Sequence, residues 1–296
     1  MTELSGFKSL FIGARDGLKL HVRDYGAAGA AHLPVLCLAG LARTSADFHE
    51  LALALSSDAK RPRRVVALDY RGRGRSDYDA DWRKYDLAVE LDDVLQVMAA
   101  TGLQEVILIG TSRGGLISMA MAPVRPAAIK GVVLNDIGPI LDAQGLIRIR
   151  SYVGKLPAPR DWAEAADILK QLFGGQFPIL STAEWQGYAE RTWKESEGKL
   201  VPDYDTKLMK TLEAMDLEAP LPDLWAYFDG LKHAPMLALR GAHSDLLSDA
   251  TLQAMAARHP ACTIFTVPGQ GHAPILAGRD MLSRIARLCT QADEAR

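Results

Sequence analysis

The 296 residues are 48% hydrophobic, enough to bury a large core in one α/β domain with an insertion or in two small domains. Basic and acidic side chains number 34 and 36, a formal net charge of -2, so no surplus of either sign favours nucleic acid or an anionic membrane surface, and the expected partner is a small, uncharged molecule. Cys37, Cys262 and Cys289 are odd in number, far apart and outside any C-x-x-C spacing, which argues against a disulfide framework or a metal site and reads as three reduced core thiols.

The opening stretch MTELSGFKSLFIGARDG lacks the basic, apolar and small-residue order of an export signal. No apolar run approaches the roughly 18 residues of a bilayer span. The expectation is a cytoplasmic protein, monomer or homodimer, with no membrane partner.

Short runs rich in Val, Ile and Leu occupy 34–40, 64–70, 105–110, 131–136, 235–240 and 262–267. Continuous apolar runs of this length read as strands buried on both faces, as parallel strands are. Helix-like stretches fall between them, at 46–57, 86–101, 114–123, 248–258 and 274–290. The alternation predicts an α/β fold, a mostly parallel central sheet flanked by helices and joined by right-handed crossovers.

From Ile137 to about Lys232 the strands drop out and helical periodicity continues alone, which predicts a helical cap at 138–232 inserted into a core made of 1–137 and 233–296. Four of the five tryptophans, Trp162, Trp185, Trp193 and Trp225, lie in this insertion with Tyr152, Tyr188, Tyr204 and Tyr227. Some of these rings are expected to pack the helical layer onto the sheet and others to line an apolar pocket.

The chemistry centres on Gly110-Thr111-Ser112-Arg113-Gly114, set directly between the strand EVILIG and the helical GLISMAMA. A sharp strand-to-helix turn holds such a serine in a strained conformation, and the flanking glycines leave room for the neighbouring strand and helix. A serine hydroxyl needs a base within hydrogen-bond reach and a third group to orient that base. Asp245 follows the strand PMLALR in the loop GAHSDLLS, and His272 follows CTIFTV in PGQGHAP. All three positions emerge at the carboxyl edge of the sheet, where open α/β folds bind ligands. Asp136, after GVVLND, is the rival for the acid.

Taken together these segments resemble the α/β-hydrolase superfamily over nearly the whole chain. The order serine, acid, histidine is that of the family. Asp69-Tyr70-Arg71-Gly72-Arg73-Gly74-Arg75-Ser76 is similar to its D-x-R-G-x-G-x-S turn, and Leu38-Ala39-Gly40-Leu41 stands in the place of its oxyanion loop. The resemblance implies Ser112 as nucleophile, His272 as base and Asp245 as the acid, preferred because its loop resembles the family's usual one although some relatives use the earlier strand. It also implies the backbone N–H groups of Leu41 and Arg113 as oxyanion donors. Here the chain departs from the family, with Ala39-Gly40 where His-Gly is usual.

Arg43 and Arg113 could bring positive charge to the mouth of the site, although pairing with a nearby carboxylate is the more ordinary fate of each. The expectation is a serine esterase that needs no cofactor or metal and cleaves a hydrophobic acyl or aryl ester through an acyl-enzyme. Carbon–carbon hydrolysis of a dienoate, a perhydrolase side activity, and a non-catalytic binding protein on the same fold are the alternatives.

Overall fold

The computed structural model describes residues 6–295; the first five residues of the N-terminal stretch read above for an export signal lie outside them. An eight-stranded sheet runs in the order β1 (Lys8–Gly13), β2 (Lys19–Tyr25), β4 (Val65–Leu68), β3 (Val35–Leu38), β5 (Val106–Thr111), β6 (Ile129–Asn135), β9 (Met236–Gly241) and β10 (Cys262–Val267). From β4 to β10 neighbouring strands pair in parallel. β1 and β2 form an antiparallel hairpin added to the edge of β4. Every residue of β3 and β4 is buried, as their unbroken apolar sequence requires of strands covered on both faces.

The covering helices are α1 (His49–Ser56), α2 (Leu87–Thr101), α3 (Arg113–Met121), α9 (Asp249–Arg258) and α10 (Arg279–Glu294). α2 starts where the Asp86 carboxylate accepts the Ala88 N–H, and it stops at Gly102, whose φ of 70° no β-carbon opposes. The last helix begins at Arg279 and not at 274, because the preceding stretch is tied to the sheet edge: the Asn135 amide donates to the Pro274 carbonyl at 2.9 Å.

Between β6 and β9 the chain leaves the sheet. α4 (Ala143–Tyr152), α5 (Trp162–Phe173), α6 (Thr182–Glu190), α7 (Met209–Glu213) and α8 (Trp225–Asp229) lie in this insertion, joined by long loops. The expectation of an all-helical insertion is corrected at one place, where β7 (Trp193–Ser196) and β8 (Lys199–Pro202) form an antiparallel hairpin. Its two-residue turn, Glu197 and Gly198, takes φ of 51° and 74°, the doubly left-handed turn that joins twisted antiparallel strands.

A separate apolar cluster, including Leu169, Phe173, Phe177, Trp185 and Trp193, holds the middle of the insertion together. The insertion is fastened down by the turn at 69–76. Gly74 N–H donates to the Asp203 carbonyl at 2.9 Å, Asp205 N–H to the Gly72 carbonyl at 2.7 Å, and the Tyr85 hydroxyl to the Asp205 carboxylate at 2.6 Å. Among the described residues no helix is long and apolar enough to cross a membrane.

Candidate active site

Ser112 sits between β5 and α3 with φ 50° and ψ −113°, a conformation that costs on the order of 1–3 kcal/mol for a residue with a side chain. Its neighbours explain how the turn is tolerated. A β-carbon on Gly110 would lie 2.5 Å from the Gly114 backbone, and one on Gly114 would lie 2.0 Å from the Leu38 carbonyl oxygen. Both glycines are therefore required by close approach of helix and strand, as the sequence pattern predicts.

The strained turn lifts the Ser112 hydroxyl to 2.9 Å from His272 Nε2, and His272 Nδ1 lies 2.7 Å from a carboxylate oxygen. That carboxylate belongs to Asp136, not to Asp245. The assignment of Asp245 as the orienting acid is thus corrected, and the reason is visible in the register. β6 and β9 are neighbours, with Asn135 opposite Leu239, so the residue just past β6 and the loop just past β9 occupy the same place at the sheet edge.

Within that place Asp136 is completely buried and fully held. Its Oδ1 accepts the Gly241 N–H at 2.7 Å, and its Oδ2 accepts the Ser244 hydroxyl at 2.6 Å as well as the imidazole proton. Asp245 turns the other way, into a two-point pair with Arg148 of α4 at 2.5 and 2.8 Å. Burial works to raise the Asp245 pKa, but the Arg148 guanidinium outweighs it and holds the carboxyl below the usual range. Arg148 also lies over the Tyr152 ring at 5.8 Å, so Asp245 secures the insertion against the sheet.

With the imidazole proton on Nδ1 facing Asp136, Nε2 is left to accept the serine proton. Among the described residues the N–H groups of Leu41 and Arg113 have no hydrogen-bond partner. Arg113 opens α3 directly after Ser112, so its N–H carries the positive end of that helix, and Leu41 lines the cavity in front of Ser112. Two free donors beside a serine are what a developing oxyanion needs.

Sequence reasoning missed the brace behind these donors. Glu90, completely buried on α2, is paired with Arg73 Nη1 at 2.6 Å and with Arg113 Nε. Arg73 in turn donates to the Leu41 carbonyl at 2.8 Å. One carboxylate therefore ties together, through two arginine side chains, the residues Leu41 and Arg113 that carry the two donors. The signal was present: Glu90 is in helical phase with Val94, Val97 and Met98, all buried on the same helix. The Arg113 side chain, spent on Glu90 and on the Tyr85 carbonyl, does not line the cavity, whereas Arg43 does.

The cavity measures about 80 Å³ and is walled by Leu41, Ile149, Leu169, Phe173 and the rings of Tyr152, Tyr188 and Tyr204. Tyrosines and a phenylalanine of the insertion thus line the cavity that holds Ser112. The tryptophans do structural work: Trp185 and Trp193 are buried within the insertion, Trp162 donates to Glu195 at 3.2 Å, and Trp225 packs on Phe228. Burial, opposed by Arg148, pushes the Tyr152 hydroxyl up to about 12, so it stays protonated near neutrality.

A second serine–histidine–aspartate chain exists far from this cavity. The Ser9 hydroxyl is 2.9 Å from His21 Nε2, and His21 Nδ1 is 2.7 Å from Asp69. Ser9 lies on the exposed face of an edge strand, and its oxygen also accepts from Arg75. Asp69 is committed to the turn through the Ser45 and Arg75 N–H groups at 2.6 and 3.2 Å. This chain is the framework of the 69–76 turn.

Known proteins agree with the architecture. A sequence model of the alpha/beta hydrolase fold matches residues 34–178. The chain is 32% identical over 247 residues to a 3-hydroxybutyrate-oligomer hydrolase of Cupriavidus necator, covering 81% of this chain and 82% of that one. It is 27% identical over 256 residues to a 2-(acetamidomethylene)succinate hydrolase of Mesorhizobium japonicum, covering 86% and 85%. A crystal structure of an alpha/beta hydrolase from Novosphingobium aromaticivorans superposes with a TM-score of 0.90 at 38% identity, covering 97% of this chain and 99% of that one.

Proposed function

The chain belongs to the α/β-hydrolase fold family and is a hydrolase, and from that premise we propose that it is a serine esterase acting on carboxylic esters with an apolar acyl or aryl part. The observation that carries this reading is the unbroken hydrogen-bond chain from Ser112 through His272 to buried Asp136, opening on a cavity lined by apolar and tyrosine side chains. The relative from Cupriavidus necator is a hydrolase of 3-hydroxybutyrate oligomers, and oligomers of a hydroxy acid are joined by esters, which supports the same bond class.

In this mechanism His272 Nε2 takes the Ser112 proton as the oxygen attacks the ester carbonyl, and Asp136 stabilises the imidazolium that forms. The oxyanion of the tetrahedral intermediate is held by the Leu41 and Arg113 N–H groups. Collapse expels the alcohol, which receives the proton from His272, and leaves an acyl group on Ser112. Water, deprotonated by the same imidazole, attacks the acyl-enzyme and releases the acid. The insertion acts as a cap that excludes bulk water and presents Tyr152, Tyr188 and Tyr204 to the acyl group.

The test is hydrolysis of p-nitrophenyl esters from acetate to long chains by the native protein and by Ser112→Ala. A fall of about four or more orders of magnitude in the variant is the expected result, and the chain-length optimum sizes the acyl pocket. No ester turnover in a protein whose Ser112 still reacts with a fluorophosphonate would replace this reading with carbon–carbon hydrolysis.

A further inference from the structure

The Arg43 side chain stands between two cavities. One holds Ser112 and His272; the other, about 70 Å³, is lined by Arg43, Asp47 and Arg191 together with Thr111 and Ala273. Thr111 and Ala273 are the chain neighbours of Ser112 and His272, so the second cavity begins about one residue's length from the reacting groups. Asp47 brings the one carboxylate to the lining of either cavity, against two guanidinium groups.

How the three charges share their bonds decides what is left over. Asp47 takes the Nε and Nη2 edge of Arg43 at 2.7 and 2.5 Å, Thr192 accepts from Nη1 at 2.7 Å, and the Tyr188 ring lies under the guanidinium at 4.7 Å. Arg43 is therefore fixed in direction, with one N–H on each terminal nitrogen uncommitted. Arg191 reaches the same Asp47 with its Nε at 3.4 Å. Among the described residues its terminal nitrogens have no acceptor, and its side chain is only partly exposed. Two cations share one anion, and the surplus of one positive charge faces the second cavity.

A planar monoanion with two acceptor oxygens matches both the surplus charge and the forked donors. We propose that the second cavity is a carboxylate subsite, and that the ester cleaved at Ser112 carries a free carboxylate a few bonds from the scissile carbonyl, seated on Arg191 and the outer edge of Arg43. The proposal rests on the ester-hydrolase reading and narrows its substrate class. The apolar cavity takes the rest of the substrate, and Asp47 sets the guanidinium groups in place without neutralising both.

The test uses two pairs of esters, each sharing a carbon skeleton and ending in a carboxylate in one member and a methyl group in the other. p-Nitrophenyl monoglutarate against p-nitrophenyl pentanoate places the carboxylate on the acyl side; 3-butanoyloxybutanoate against sec-butyl butanoate places it on the alcohol side. The ratio of kcat/KM, charged over neutral, is measured for the native protein, Arg191→Gln and Arg191→Lys at low and high salt. Each ratio is internal to one protein sample, so a loss of folded enzyme cancels. In at least one pair the ratio is expected to fall on the order of tenfold in Arg191→Gln, to recover in part in Arg191→Lys, and to shrink with salt in the native protein.

A ratio unchanged by Arg191→Gln in both pairs overturns the subsite and leaves the esterase reading standing. Failure of the native protein to cleave these four esters and the whole p-nitrophenyl panel overturns the esterase reading instead. The subsite is then decided by calorimetric titration of glutarate into Ser112→Ala: saturable binding abolished by Arg191→Gln upholds it, and no binding overturns it.

Discussion

Replacing Asp136 by Asn keeps size and shape while removing the charge that faces His272. The native carboxylate accepts three hydrogen bonds, from Gly241 N–H, from the Ser244 hydroxyl and from His272 Nδ1. An amide has one oxygen and one NH2 in that position, so when its oxygen keeps the Gly241 N–H its NH2 faces the imidazole. The ring must then present a lone pair at Nδ1 and carry its proton on Nε2, where it cannot accept from Ser112. The imidazolium formed during attack also loses its buried counter-charge. The same substitution in a serine protease lowers kcat about ten-thousandfold, which corresponds to about 5.5 kcal/mol of transition-state stabilisation, and a loss of that order is expected here. Asp245→Asn breaks the pair with Arg148 and is expected to leave kcat within about threefold, with the cost, about 1 kcal/mol for a partly exposed two-point pair, seen in thermal stability. The assay is steady-state hydrolysis of the best p-nitrophenyl ester by the two variants, with melting followed in parallel. A thousandfold loss in Asp245→Asn beside a near-native Asp136→Asn would refute the geometric argument.

Glu90→Gln leaves two guanidinium groups sharing a neutral partner, so stability is expected to fall by about 3 kcal/mol and kcat to fall more than KM rises as the Leu41 and Arg113 peptides loosen; a native kcat in folded Glu90→Gln protein would refute the brace. A fluorophosphonate probe is expected to label Ser112 and not Ser9 in peptide mapping, because Ser9 has neither the strained turn nor the two free donors; labelling that persists in Ser112→Ala would refute this. The thiols are expected to be unreactive. Burial raises Cys262 to about 11 and Cys289 to about 12, so at pH 8 only about one Cys262 in a thousand is thiolate. A disulfide reagent should therefore titrate the native protein far more slowly than the unfolded one, and the rate should climb as pH rises towards 11; fast, pH-independent reaction at neutral pH would contradict the burial argument.

The sequence by itself determined the elements that depend on local pattern. Runs such as VLCL and VVAL are apolar at every position, and a strand of that kind has to be covered on both faces, which implies helices around a parallel sheet. The serine turn was equally local, because strain at Ser112 and close packing at Gly110 and Gly114 demand those residue types within five positions. His272 followed from its place after the last strand. The hairpin β1–β2 was also legible in part, since Asp16-Gly17 between the apolar run Leu10-Phe11-Ile12 and the alternating Leu20-His21-Val22-Arg23 is a turn signal.

The tertiary structure alone decided between Asp136 and Asp245. Both stand at the carboxyl ends of adjacent parallel strands, so position along the chain makes them equivalent. What separates them is a guanidinium from α4, about a hundred residues away in sequence, that captures Asp245, while Gly241 and Ser244 turn their donors on Asp136. The same holds for the division of the insertion's rings into packing and lining, and for the surplus charge at Arg43 and Arg191. Each depends on which groups share a hydrogen bond or a wall across long loops, and no periodicity in the sequence encodes that partnership.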